Sequence, residues 1–388
     1  MKIGLALGWQ NSDWDRYDAD DFSRPPAVPD WEIYRENIRL LDLAEPLGFD
    51  SIFSIEHHMT PYHMTPSGPQ LLAYLAGRTE RIDLGTALIV VPWYNPVRLA
   101  EQVCFLDNVL DEGRNLWLGV GRGTAPREYQ AMGIDQNEAR ERFKEGIDIL
   151  RLALTEERFS YHGKHYQRAN ISVRPRPRRT DLVDRLYAGV ITPQSLEITA
   201  RMGLKLMFTQ SLSFEDVAEK AALFNSFRAE EGFEPIHPII VPNLFCAASM
   251  DEAMEYGVTT SNTYMAAVNK HYEFAQAERF ANIKGYEQWA QTLGRRAPNA
   301  ESGPPPTEAS TPPPDTTPHG LFGTPDMLIE RLQWIADNVR PSQVVVITNQ
   351  GGIPPDAVER SLRLFAQEVL PVAQAMEPAP FATPTAVP

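Results

Sequence analysis

A chain of 388 residues, 43% of them hydrophobic, can bury the core of one large barrel or of two smaller domains. Its formal charge of −15 and pI of about 5.1 argue against nucleic acid or an anionic membrane as partner, and no apolar run approaches the roughly 18 residues that a membrane span needs. The two cysteines, Cys104 and Cys246, lie in separate apolar segments without metal-site spacing. They read as small buried hydrophobes in a cytoplasmic protein that has no disulfide framework.

The run Met1–Gly8 is too short and too weakly basic for a signal peptide and reads as a first strand over 2–8. Further strands are expected at 49–55, 82–91, 115–120, 185–191, 204–209, 238–247 and 343–348. Helical patterns fill the intervals, at 31–47, 68–79, 97–110, 136–154, 194–202, 214–231, 250–256, 265–290, 325–338 and 355–376. Asp30 is placed to cap the first of them. Thr192-Pro193-Gln194-Ser195 and Thr324-Pro325-Asp326 each offer an N-cap followed by proline at the first helical position, and Gly203 stands where the helix after Thr192 should stop. Strands joined by helices must run parallel, and eight of them favour an α/β chain closed into a single (β/α)8 TIM barrel with insertions over a doubly wound open sheet. One barrel domain is expected over 1–376.

Two segments break the rhythm. Residues 155–182 hold a β-like stretch, Phe159–Tyr166, and then the basic run Arg174-Pro175-Arg176-Pro177-Arg178-Arg179, which reads as a solvated loop rather than an anion or partner docking site. Residues 297–320, with Pro304-Pro305-Pro306 and Pro312-Pro313-Pro314, cannot bury enough apolar surface to fold and are expected to be a mobile or extended insertion. The tail 377–388 is expected to be disordered.

Glu56-His57-His58 follow the apolar run Gly48–Ser54, at the end of a strand where barrel enzymes do their chemistry. Three readings stand here. With His63 nearby the group is a metal site, although adjacent strand residues point to opposite sides and no His-Glu-x-x-His is present. Otherwise the histidines are satisfied structural groups, or one of them does acid–base or electrostatic work, which is the favoured reading for a side chain that ordinarily titrates near 6.5. Gly119-Val120-Gly121-Arg122-Gly123 is not the dinucleotide fingerprint, but its small residues let a flat ligand approach the backbone and Arg122 offers a planar fork to a phosphate. The other reading is a surface arginine in a Gly-rich loop. The N–H groups of Gln194 and Ser195 and the Ser195 hydroxyl form either an anion site at a helix N-terminus or a plain cap. Two phosphate-compatible places after different strands point to a phosphorylated cofactor at the barrel mouth, and no metal is expected.

In this order, several motifs together resemble the bacterial luciferase-like, flavin-dependent monooxygenase family. They are Gly48–Phe53 with Glu56-His57-His58; Gly85-Thr86-Ala87 with Asn95–Glu101; Gly119–Gly123 with Glu128-Tyr129 and Met132-Gly133; Ser195 with Ala200–Leu204; and Gly323-Thr324-Pro325 through Leu364-Phe365. The resemblance covers roughly residues 1–290 and 320–372. It implies FMN at the C-terminal mouth of the barrel, with reduced flavin supplied by a separate NAD(P)H-dependent flavin reductase. It also implies O2 as co-substrate and a flavin 4a-hydroperoxide that inserts one oxygen atom into an organic molecule. By motif, His57 matches the catalytic histidine and Glu56 stands beside it at the cofactor. Arg122 grips the FMN phosphate, and Gln194-Ser195 fall at the phosphate-binding helix start. Ala87-Leu88 match a non-prolyl cis peptide beneath the isoalloxazine, and Thr124 and Glu128 border flavin and substrate. Gly121 replaces the reactive cysteine of the luciferase α-subunit, which speaks against light emission. Residues 285–320 correspond to a mobile loop over the site, and early barrel helices to a homodimer contact. The expected substrate is a hydrophobic small molecule, with Trp9, Trp93, Tyr94 and Phe208 as pocket residues. The alternatives are a deazaflavin-dependent oxidoreductase on the same fold and a non-catalytic flavin-binding protein.

Overall fold

The computed structural model of the protein describes residues 1–209, 212–276, 278–287 and 320–381. Its strands are β1 (Lys2–Ala6), β2 (Ser51–Ser54), β3 (Asp83–Val90), β4 (Leu116–Gly121), β5 (Phe159–His162), β6 (Gln167–Ile171), β7 (Leu186–Gly189), β8 (Lys205–Phe208), β9 (Ile239–Ile240), β10 (Asn243–Cys246), β11 (Gly320–Gly323) and β12 (Gln343–Ile347). Strands β1, β2, β3, β4, β7, β8, β9 and β12 pair in parallel in that order. β12 then pairs back on β1, from Lys2↔Gln343 to Ala6↔Ile347. This closure makes an eight-stranded barrel and removes the open-sheet alternative.

Alternation along each strand divides the apolar residues between two cores. Ala6, Phe53, Ala87, Tyr187, Met207, Ile239, Val345 and Ile347 fill the barrel. Ile3, Leu5, Ile52, Leu84, Leu118, Leu206, Val344 and Val346 face the surrounding helices. Burial on both faces explains why these strands read as unbroken apolar runs. Both cysteines are buried, as expected. Among the described residues no helix is long and apolar enough to cross a membrane.

The structure corrects several expected boundaries. The strand expected over 238–247 is two strands, broken at Val241-Pro242, because Pro242 has no N–H to give a ladder. The downstream half, β10, pairs with β11, a strand that was not expected next to the Pro-rich insertion. Residues 297–319 of that insertion lie outside the described residues. The helices expected at 250–256 and in the first part of 265–290 are one helix, Met250–Tyr272, ended by Glu273 in the left-handed region at φ 56°. Pro29, not Asp30, is the N-cap of the helix Asp30–Leu41. The basic run is not a freely solvated loop. Arg176 donates to the carbonyls of Ala153 and Leu154, Arg178 donates to those of Leu110 and Asp111, and Asp107 accepts the Arg178 and Arg179 N–H groups. The guanidinium groups thus satisfy carbonyls at two helix C-termini. The start of the tail packs on the barrel, where the Ala379 N–H donates to Ala336 O and the Phe381 ring lies 4.4 Å from that of His237.

Candidate active site

The C-terminal ends of the parallel strands open on one mouth, and β2 delivers Glu56, His57 and His58 to it. Successive residues diverge there. Glu56 turns inward and is 2% exposed. Its Oε1 accepts the Val90 N–H (3.3 Å) and lies 3.6 Å from His58 Nε2, while its Oε2 accepts the Tyr94 hydroxyl (2.6 Å). Both oxygens are thus spent on tying the end of β2 to that of β3. Glu56, expected at the cofactor, is in this structure a tie between two strand ends.

His57 turns the other way, toward Glu128 on the short helix Pro126–Ala131 and toward the end of the helix Met250–Tyr272. Its Nδ1 lies 3.4 Å from Glu128 Oε1 and its Nε2 lies 3.3 Å from the Tyr272 hydroxyl. Glu128 Oε1 also accepts the His58 N–H (2.6 Å) and faces His271 Nε2 at 3.4 Å. The far nitrogen of His271, Nδ1, lies 2.8 Å from Thr60 Oγ1, which itself accepts the Tyr62 N–H. With Nε2 turned to the Glu128 carboxylate, the proton of neutral His271 belongs on Nε2, and Nδ1 accepts from the Thr60 hydroxyl. Tyr62 stacks on His271, with ring centroids 4.6 Å apart, and its hydroxyl meets that of Tyr264 at 2.7 Å.

Burial works against the charged form of Glu128, but His57 and His271 outweigh it and hold the carboxyl at about 2. Burial pushes His271 down to about 4 and His63 well below its ordinary value. Burial also keeps the Tyr272 phenol protonated. The mouth therefore holds one buried carboxylate beside a neutral His271 and a protonated Tyr272 phenol. Glu128 Oε2, His271 Nε2 and His58 Nε2 are buried and have no hydrogen-bond partner.

The next strands build a second region. The Ala87–Leu88 peptide bond is cis, as the resemblance implies, and lies at a register shift between Thr86 and Ile89 in the β3–β4 pairing. The irregularity turns Leu88 into the mouth. A Cβ on Gly121 would meet Leu88 at 2.7 Å, and one on Gly189 would overlap it. These glycines therefore make the room in which Leu88 lies. Beyond them Arg122 donates to Gly285 O (3.1 Å) and packs 4.1 Å from the centre of the Tyr286 ring. Arg140 donates to the Gln194 side chain (2.9 Å), and a Cβ on Gly285 would run into both guanidinium groups, so they lie side by side over this glycine. The helix Pro193–Arg201 starts here. The Thr192 side chain accepts the Ser195 N–H and its hydroxyl donates to Ser195 Oγ (3.0 Å). The Ser195 hydroxyl proton is not used in that contact, and the Gln194 N–H is a donor without an intrahelical partner. One helix joins the two regions. Glu128 faces the histidines, and the next residue, Tyr129, donates to the Arg122 carbonyl.

The structure thus brings His57, Arg122, Gln194, Ser195, Ala87 and Leu88 to one mouth. Thr124 is half-buried on its rim, its carbonyl held by Gln136. Two expected pocket residues are elsewhere: Trp9 and Phe208 are buried in the outer core. Tyr94 is occupied by Glu56, and Trp93 packs edge-on against His58 and Tyr129. Arg140, His271 and Tyr272 were missed. They lie on helices far from any strand end, and only the fold carries them to the mouth.

A family model described as luciferase-like monooxygenase matches residues 1–338. The alkanal monooxygenase alpha chain of Photorhabdus luminescens is 27% identical over 216 residues, which span 56% of this chain and 59% of that one. Monooxygenase RslO1 from Streptomyces bottropensis has the same fold, with a TM-score of 0.72 at 24% identity over 96% of this chain and 99% of that one. So does the oxygenating constituent of 3,6-diketocamphane monooxygenase from Pseudomonas putida, solved with FMN, with a TM-score of 0.70 at 18% identity over 96% and 98%.

Proposed function

Because the chain belongs to the luciferase-like monooxygenase family and is an oxygenating enzyme, we propose that it is the oxygenase component of a two-component system that works with reduced FMN and O2. Its substrate is a hydrophobic small molecule, and a separate NAD(P)H-dependent flavin reductase supplies the reduced flavin. The observation that carries this reading is the pairing of Arg122 and Arg140 at one helix N-terminus, on the same barrel mouth as His57.

The residues fit FMN. A phosphate dianion calls for two cations and free N–H groups, and among the described residues neither guanidinium is hydrogen-bonded to a carboxylate. Arg122, Arg140, the Gln194 N–H and the Ser195 hydroxyl would hold the phosphate. Leu88 and the glycine-lined backbone of β4 would support the flat ring. Bound reduced flavin supplies the oxygen-activating chemistry.

The chain positions and protects. Glu128 takes the Nδ1 side of His57, so Nε2 is the atom left to accept or return a proton, and Tyr272 holds it until a ligand arrives. Tyr62, Trp93 and Tyr272 pack around the histidines and keep bulk water from them. Tyr74 on the helix Gly68–Ala76, and Phe105 and Val109 on the helix Pro96–Val109, are exposed large apolar side chains on early barrel helices, which suits a homodimer contact. The reading is tested by anaerobic titration with reduced FMN and with a reduced deazaflavin. Tight binding of FMN that weakens on removal of Arg122 supports it, and preference for the deazaflavin with no FMN binding overturns it.

A further inference from the structure

We propose that His57, Glu128 and His271 form a binding site for a divalent transition ion of the zinc type, and that filling it switches the oxygenase off by occupying His57. The site itself rests only on geometry; its inhibitory effect rests on the role given to His57 above.

The three side chains come from positions 57, 128 and 271, so no local spacing announces them. One donor atom from each lies within 4.8 Å of the other two. Both imidazole nitrogens stand 3.4 Å from the same carboxylate oxygen. In a tetrahedral zinc site with bonds of about 2.0–2.1 Å, neighbouring donors are roughly 3.3 Å apart. The carboxylate–imidazole edges therefore already have the length that an ion needs.

The outer contacts match as well. Each histidine turns its other nitrogen to a hydroxyl: His57 Nε2 to Tyr272 and His271 Nδ1 to Thr60. Ligating histidines are held in this way, their distal N–H donating to an oxygen that fixes the ring. Ion binding would move the His271 proton from Nε2 to Nδ1, where Thr60 Oγ1 can accept it. The protein by itself leaves Glu128 Oε2 and His271 Nε2 buried and unpartnered, with the two side chains 1% and 0% exposed. A bound cation would satisfy the His271 nitrogen, and Glu128 Oε2 leaves the carboxylate a second oxygen to offer it. His57 is 15% exposed and gives the ion a way in. Two imidazoles and one carboxylate suit zinc, cobalt, nickel or copper rather than the hard cations calcium and magnesium.

The test uses the full chain, treated with chelator and then titrated with Zn2+ by calorimetry and with Co2+ by visible absorption. One ion per chain is expected, with Co2+ bands of low-coordinate type. His271→Phe keeps the ring stacked on Tyr62 and removes a ligand, and Glu128→Gln removes the charge. Each should weaken Zn2+ binding at least tenfold. FMN binding at Arg122 reports that each variant is folded. Binding below one ion per chain, or equal affinity in both variants, overturns the site. Zn2+ should abolish oxygenation without displacing FMN, and chelation should restore it. Full turnover with one ion bound overturns the inhibitory role. A chain that binds the ion but oxygenates nothing with reduced FMN fails the proposed function alone, since the titrations need no turnover.

Discussion

Glu128 Oε1 lies 3.4 Å from His57 Nδ1, and that contact decides which face of the imidazole is available. The carboxylate comes from a helix after β4 and the imidazole from the end of β2, so the orientation of His57 depends on the pairing of β2, β3 and β4. His57→Ala should bind FMN normally and lose product formation by about 10²–10⁴-fold, the usual worth of a positioned acid–base group. Glu128→Gln should lower turnover on the order of tenfold with unchanged FMN affinity. Steady-state turnover with a reductase, set beside flavin titration, separates the two effects; full activity in His57→Ala would remove the histidine from the reaction.

Arg122 and Arg140 meet at Gly285 and at the helix that starts after Thr192. Loss of a charge-assisted hydrogen bond costs about 1.5–3 kcal/mol, or about 10- to 150-fold in affinity. Arg122→Ala and Arg140→Ala should each weaken FMN binding by that factor and leave riboflavin, which has no phosphate, nearly unaffected. Fluorescence titration with both flavins reads the difference. Equal losses for the two ligands would place the arginines away from the phosphate.

The bend at Ala87-Leu88 needs space that only glycine leaves. A Cβ on Gly119 would overlap the Thr86 carbonyl oxygen and lie 3.1 Å from Leu88. Gly119→Ala should therefore destabilise the fold by about 1–3 kcal/mol, the usual range for overpacking. Gly77→Ala, where the nearest atom would be the Tyr74 carbonyl oxygen at 3.8 Å, is the control and should change stability little. Urea denaturation of both variants checks this.

Buried neutral histidines make the fold acid-sensitive. His63 is 2% exposed, its Nδ1 accepts the Trp9 N–H at 3.2 Å, and burial holds it well below its ordinary value. His271 is held at about 4 by burial. In each case the folded value is lower than the unfolded one. The stability they contribute is therefore present above about pH 6.5 and is lost as pH falls and the unfolded chain takes up protons, by about 1.4 kcal/mol per pH unit for each group. The denaturation midpoint should fall between pH 6.5 and pH 5, and His63→Gln should make the fall shallower. An unchanged slope would show that His63 is already charged in the fold.

The parts of this account that local sequence carries are those in which a strand end and its next few residues do the work. The parallel barrel followed from alternating apolar strands and helices, and Arg122 and the Thr192 cap lay directly after β4 and β7. What could not be read depends on distant segments. The Pro242 break could be seen in the sequence, but not the pairing of β10 with β11, since β11 emerges from a Pro-rich stretch. Glu56 has the residue type of an active-site acid, and only the positions of Val90 and Tyr94 show that both its oxygens are taken. His271 and Tyr272 end a helix with no motif around them. The argument from spacing that set aside a metal considered His57 and His58, whereas the converging donors are His57, Glu128 and His271.

The most direct test of the central claim is oxygen-isotope incorporation. The protein is supplied with reduced FMN, 18O2 and a panel of hydrophobic ketones, aldehydes and terpenes, and products are read by mass spectrometry. A product carrying one 18O atom with reduced FMN, absent in His57→Ala, is the expected result. Conversion that needs no oxygen and proceeds only with a reduced deazaflavin would contradict it.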